Sequence, residues 1–226
     1  HALAFHGNKA SKTPNLDKLM REAVVFSNAY CNSPICSPSR FAMLSGRLPT
    51  QIGAWDNAAE FPSEVPTFAH ALRLQGYHTV LAGKMHFVGA DQLHGFEERI
   101  TTDVYPADFG WTPNWDEERT GKCNPLFFET FLSVAEADWV HSSTQMDFDE
   151  EVAFKVTRKL RQMARRKTAR LHAGSNTCAP ERPFFILASF TEPHDPYSAP
   201  KEFWDLYECV DIDKPQMPSA SPRSTA

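Results

Sequence analysis

The apolar positions of this chain follow two periods that alternate along its length. Leu16, Leu19 and Met20 fall on one helical face. Ahead of them Thr13 can cap, and Pro14 suits the first helical position. Residues 23–29, with Val24, Val25 and Phe26, read as a short strand. A helix is expected from Pro38 to Ser45, ended by Gly46, and a second from about Pro66 to Gln75, stopped by Gly76. Residues 77–82 read as a buried strand that ends at Gly83.

Residues 101–119 break every period. Prolines, acids and aromatics mix there, which predicts a long ordered loop of the kind that is usually functional or disordered. Asp147, with Glu150 three residues on, resembles a capping-box variant. Val152, Val156, Lys159, Leu160 and Met163 then keep a helical period. Residues 165–182 are basic and polar, then irregular. Residues 184–190 form a continuous apolar run, fit for the buried centre of a parallel sheet. Residues 200–207 read as a short final helix. Strands alternating with helices imply an α/β fold, and no internal repeat is visible.

At 226 residues the chain suffices for one compact domain or a large piece of one. Its formal charge of −5 gives no basic footprint for nucleic acid. No apolar run approaches the roughly 18 residues of a membrane span. The five cysteines are scattered and contain no CxxC pair, which argues against zinc and against a disulfide framework and for a reducing compartment. The chain begins at His1 and not at Met, so the lack of a signal peptide decides nothing. The expectation is an incomplete fragment, with parts missing at both ends. Residues 1–214 would be a partial catalytic domain. Residues 215–226, rich in Pro and Ser, would be a disordered tail.

In α/β sheets chemistry gathers at strand ends, and three polar motifs stand near such places: residues 36–40, 83–86 and 193–197. Cys36 lies just before a helix whose first turn contains Pro38. Free N–H groups and the dipole at that end stabilise a thiolate or bind an anion. Arg40 adds a planar fork suited to sulfate or phosphate oxygens. A buried structural thiol is the commoner fate of a lone cysteine. Lys84 is a point cation for developing negative charge. His86 could hydrogen-bond a nucleophile or receive its proton. The alternatives are an incidental surface turn for Lys84 and His86, and a His held in a proline-rich turn for His194.

Taken whole, Cys36-Ser37-Pro38-Ser39-Arg40-Phe41-Ala42-Met43-Leu44-Ser45-Gly46-Arg47 resembles the type I sulfatase signature, C-x-P-S-R followed by L-S/T-G-R, at every defining position. Gly83-Lys84-Met85-His86 is similar to that family's G-K-x-H, and Pro193-His194-Asp195-Pro196 to its P-H-x-P. The resemblance implies the alkaline-phosphatase-like sandwich, with a mainly parallel central sheet flanked by helices. It implies that Cys36 is oxidised to formylglycine by a formylglycine-generating enzyme, and that the aldehyde's hydrate attacks sulfur. Arg40 would stabilise the nucleophile and a metal site. Lys84 and His86 would contact the sulfate group, and His194 would protonate the leaving oxygen. The family's divalent metal, calcium or magnesium with manganese as a further option, takes oxygen ligands. Only Cys36, once modified, can be named as a ligand, because the family's other metal ligands have no counterpart in this chain.

Within the family, residues 53–62, 91–99 and 105–113 resemble choline sulfatases more than arylsulfatases, as does His194-Asp195-Pro196-Tyr197. The implied substrate is choline-O-sulfate. Its quaternary ammonium cannot donate a hydrogen bond, so aromatic faces and carboxylates recognise it. Trp111 matches the aromatic facing the trimethylammonium, with Asp56 and Asn57 as further substrate-binding candidates. Tyr105, Phe109 and Trp115 add aromatic surface, with core packing as the alternative for each. Residues 120–145 depart from the pattern, as an atypical insertion or a translated intron, and the resemblance returns near Met146. An arylsulfatase, a formylglycine-dependent phosphonate or phosphodiester hydrolase, and an inactive truncated fragment are the competing expectations. The family precedent places the protein in the cytoplasm, away from membrane and nucleic acid, and is compatible with a homo-oligomer of the full-length form.

Overall fold

A computed structural model describes residues 3–105, 134–173 and 182–212 of the protein. In chain order the main elements are α1 (Pro14–Glu22), α2 (Cys36–Ser45), α3 (Pro49–Ile52), α4 (Phe68–Leu74), β1 (His78–Gly83), β2 (Glu98–Arg99), α5 (Thr144–Ala173), β3 (Phe184–Ser189) and α6 (Lys201–Trp204). They fall into two compact units, residues 30–199 and residues 1–29 with 200–226.

In the smaller unit, α1 starts at Pro14 as expected, but Thr13 does not cap through its side chain. Its hydroxyl donates to Asp17 Oδ1 at 3.1 Å instead. Residues 23–29 are not a strand: Val24 and Phe26 are 82% and 75% exposed, and no described strand pairs with them. A β-rich composition makes a strand only where a neighbour takes its backbone hydrogen bonds. α6 is the expected final helix and continues into a 3-10 turn, Asp205–Tyr207. Tyr207 OH accepts the Lys12 N–H, and Leu206 O accepts Lys12 Nζ, both at 3.0 Å.

The larger unit is built on a parallel three-stranded sheet of order β2-β1-β3. β1 pairs with β3 from His78↔Phe184 through Gly83↔Ser189. Successive strand residues point to opposite faces, and both faces of β1 are covered. Leu81 joins an apolar cluster with Phe41 and Leu44 of α2, Ala69 of α4, and Phe61, Met85, Phe87 and Phe96. Phe41 stacks on Phe61 with centroids 4.5 Å apart. Ala82, the next residue, meets Phe148, Val152 and Val156 of α5. The middle of the described sheet is therefore β1, and the apolar run 184–190 lies at its side, only half-buried.

α4 lies within the expected 66–75 and α2 stops at Gly46 as expected, but α2 starts two residues before Pro38, so Cys36 is its first residue and not the residue ahead of it. α5 starts earlier than the Asp147 reading. Ser143 Oγ accepts the Met146 N–H at 3.2 Å and Ser143 O accepts the Asp147 N–H at 2.9 Å, so Ser143 is the cap. Asp147 sits in the first turn and accepts from Ser142 Oγ at 2.7 Å. α5 also continues through the basic stretch to Ala173, because arginine and lysine are good helix formers. No helix among the described residues is long and apolar enough to cross a membrane. Trp111, Phe109, Trp115, the departing segment up to residue 133 and the tail 215–226 lie outside the described residues.

Candidate active site

Cys36 is the first residue of α2. The start of this helix is tied down by its neighbours. Asn57 Oδ1 accepts the Ser37 N–H at 3.1 Å, and Ser37 Oγ reaches Asn57 O at 3.3 Å and His86 O at 3.2 Å. Asn57 thus anchors the helix that presents Cys36. Beside it, Asp56 Oδ1 accepts the Ala58 N–H at 2.9 Å.

One turn along α2, Arg40 Nη1 donates to Lys84 O at 3.0 Å and to Ser189 Oγ at 2.9 Å. It joins the nucleophile helix to the ends of β1 and β3. Lys84 follows Gly83 directly and is only 1% exposed. Its ammonium donates to Tyr105 OH at 3.3 Å and stands 4.5 Å from the Tyr105 ring centroid. Burial pushes the Lys84 pKa down, and the facing Cys36 opposes that shift.

His86 is buried and has a φ of 59°, in the left-handed region. For a residue with a Cβ this costs roughly 1–3 kcal/mol and persists only where the surroundings impose it. Asp103 Oδ2 accepts the His86 N–H at 2.8 Å. The imidazole lies 4.6 Å from the Tyr105 ring. His194 follows β3 in the loop. Its Nδ1 faces Asp195, at 2.8 Å from the backbone oxygen and 2.9 Å from Oδ1, and its Nε2 is 3.4 Å from Tyr105 OH.

These groups converge on Cys36. Hydrogen bonds from His194 and then His86 lower its thiol pKa to about 5, with the Lys84 charge adding and burial opposing. The same contact with Cys36 raises the His194 pKa against the effect of burial. Burial, then the Cys36 charge, pushes Tyr105 up to about 12, so it is a neutral phenol at physiological pH. The result is a thiolate ringed by a lysine and two imidazoles, with a phenol bridging Lys84 and His194.

Cys36, Arg40, Lys84, His86 and His194 are therefore brought together from α2, the turn after β1 and the loop after β3. Asp56 and Asn57 lie beside the start of α2. Asp103 and Ser189 were not among the residues the motifs identify, and Asp195 stands in the P-H-x-P match only as its variable position. Ser189 could have been found as the one polar residue near the end of the apolar run 184–190, whereas Asp103 lies in the aperiodic stretch and no spacing marks it. Among the described residues no group of three or more His, Cys, Asp or Glu could hold a metal ion. The described residues thus do not by themselves build the divalent-metal site that the resemblance implies.

The sulfatase family model matches residues 1–217, and the chain belongs to the sulfatase family. Among its curated relatives is a choline-sulfatase of Rhizobium meliloti (strain 1021), 48% identical over 195 residues, which are 86% of this chain and 36% of that protein. An uncharacterized sulfatase, YidJ of Escherichia coli (strain K12), is 27% identical over 89% of this chain and 37% of that protein. The chain spans little more than a third of the length of these relatives. Of solved structures, the phosphonate monoester hydrolase of Agrobacterium radiobacter superposes with a TM-score of 0.56 at 19% identity, covering 91% of this chain and 41% of that one. That likeness supports the α/β sulfatase-like fold alone.

Proposed function

We propose that this chain is part of a sulfuric ester hydrolase that cleaves choline-O-sulfate to choline and sulfate. The observation that carries the reading is the convergence of His194, His86 and Lys84 on Cys36. A site that stabilises one negative charge at position 36 suits an anionic sulfate group brought to the same place. The 48% identity to a protein named choline-sulfatase supports the choice of ester.

Position 36, oxidised to formylglycine by a generating enzyme, supplies an aldehyde hydrate as the nucleophile toward sulfur. The chain's own residues do the rest of the work described here. Lys84, buried and held by Tyr105, offers a fixed positive charge to the sulfate oxygens. Arg40 keeps the nucleophile helix in register with the strand ends through Lys84 O and Ser189 Oγ. His86 accepts a proton at the nucleophile. His194 has Nδ1 occupied by Asp195, which leaves Nε2 to hand a proton to the choline oxygen as the S–O bond breaks. The Asp195 backbone oxygen and carboxylate at Nδ1 favour the protonated form that this step needs, whatever group position 36 carries. Trp111 and its neighbours are the aromatic surface proposed for the trimethylammonium.

The test is kcat/KM of the intact protein on choline-O-sulfate, nitrophenyl sulfate and a phosphonate monoester. A desolvated cation–π contact is worth about 2 kcal/mol, or roughly 30-fold, for the choline ester over a neutral ester of equal leaving-group pKa. Preference for the aryl sulfate or the phosphonate would overturn the choline assignment.

A further inference from the structure

Past Gly83, the last residue of β1, the turn Lys84-Met85-His86 carries two of the site's groups but no regular structure, so its backbone polar groups must be satisfied one at a time. Gly83 N–H donates to Thr101 Oγ1 at 2.7 Å, and Lys84 N–H to Ser189 O at 2.9 Å. Lys84 O accepts Arg40, and His86 O accepts Ser37 Oγ. The two remaining N–H groups, of Met85 and His86, both go to Asp103 Oδ2, at 3.0 and 2.8 Å. Arg99 Nη2 donates to the same oxygen at 2.8 Å. The Asp103 and Arg99 side chains are 4% and 9% exposed.

Arg99 is itself fixed. Its Nη1 donates to Gln92 Oε1 at 2.8 Å and Gln92 O at 3.2 Å, and its Nη2 also lies 3.4 Å from Gly83 O. The carboxylate thus has one orientation, set from a residue four positions earlier. Two consecutive N–H groups converging on one charged oxygen are strong, directional hydrogen bonds. They act where the backbone needs support, at a histidine with φ of 59°.

We propose that Asp103, oriented by Arg99, is a positioning residue that holds the His86 backbone in its left-handed conformation and thereby aims the His86 imidazole at Cys36. Its effect on turnover rests on the sulfatase reading above; its effect on the His86 backbone does not. Misplacing a catalytic group by about 1 Å can cost roughly 100-fold in rate. Both Asp103 oxygens accept, Oδ2 from Met85, His86 and Arg99 and Oδ1 from Val104 N–H, so Asp103→Asn removes the charge and sets its NH2 against a donor in either orientation, and kcat should fall by about that factor.

The experiment is a double-mutant cycle in the intact protein with choline-O-sulfate: Asp103→Asn, His86→Ala, and both together. If Asp103 acts through His86, the double variant is no slower than His86→Ala within about threefold, because groups acting as a unit are not additive. Losses that multiply would overturn the proposal. Asp103→Glu serves as the second variant should Asp103→Asn not fold. It keeps the charge opposite Arg99 but displaces the oxygen, and should still lose kcat; wild-type kcat there would contradict the proposal. Amide hydrogen exchange supplies the readout that needs no activity. Protection of the Met85 and His86 amides should fall in Asp103→Asn while that of Val80 and Leu81 is kept, and unchanged protection at His86 would overturn the proposal. A wild-type protein that cleaves no sulfate ester would instead sink the function reading, with the exchange result still deciding the role of Asp103.

Discussion

Gly83→Ala is the substitution whose consequence follows most directly from the geometry. Gly83 closes β1 with φ of +96° and lies against the backbone of β3: a Cβ there would stand 1.8 Å from Ser189 O and 2.8 Å from Ser189 C. The left-handed conformation alone costs an alanine about 1–2 kcal/mol. The carbonyl must also move by more than 1 Å to reach an ordinary contact. That movement takes Ser189 O away from the Lys84 N–H, at 2.9 Å, and drags Ser189 Oγ from Arg40. Lost hydrogen bonds of this kind contribute about 0.5–3 kcal/mol each. The total is on the order of 3–5 kcal/mol, a large part of a typical stability of about 5–15 kcal/mol. Gly76→Ala is the matched control, since Gly76 has φ of +83° and nothing within 4 Å of its Cβ position. It should cost only the conformational part, about 1–2 kcal/mol. Urea denaturation of the intact protein measures both. Equal midpoints for the two variants would refute the close approach between the ends of β1 and β3.

Three further outcomes are expected. In unmodified protein the rate of Cys36 alkylation should rise through a midpoint near pH 5, because the thiolate is retained until the pH falls through its depressed pKa; His194→Ala should move the midpoint up, and a wild-type midpoint near the ordinary value of about 8.5 would contradict the site's electrostatics. His194→Ala should also lower kcat on choline-O-sulfate by about 100- to 10,000-fold and cost less on nitrophenyl sulfate, whose leaving group needs no proton; equal losses on both esters would remove the general-acid role. Val152→Ala, at a fully buried position against Ala82, should destabilise by about 2–3 kcal/mol, and Leu160→Ala, half-exposed on the same helix, by under about 1 kcal/mol, as read by thermal melting.

What could be read from the sequence was what depends on local chemistry. The run Cys36 to Arg47 gave both the family signature and the end of α2, because a stop glycine is a local signal, while the start was read two residues late because Pro38 suits a first turn as well as a first position. Lys84, His86 and His194 were legible because each follows an apolar run ending in a conspicuous motif. The segment 23–29 misled because its valines and phenylalanine report on composition, while a strand requires a partner. The capping role given to Asp147 belonged to Ser143, four residues earlier, since several acceptors of similar strength compete near a helix start. Asp103 left no local trace, and Arg99 stood in the resembling stretch 91–99 with no role attached to it. Their importance comes from the tertiary placement of a loop against the turn after β1, which no spacing along the chain encodes.

The central claim concerns position 36, and its most direct test is tandem mass spectrometry of the peptide containing that residue, from protein isolated from its native source. The expected result is the aldehyde residue, formylglycine, in place of cysteine. An unmodified Cys36 thiol throughout would contradict the account, leaving a polarised thiolate in a sulfatase fold without its nucleophile.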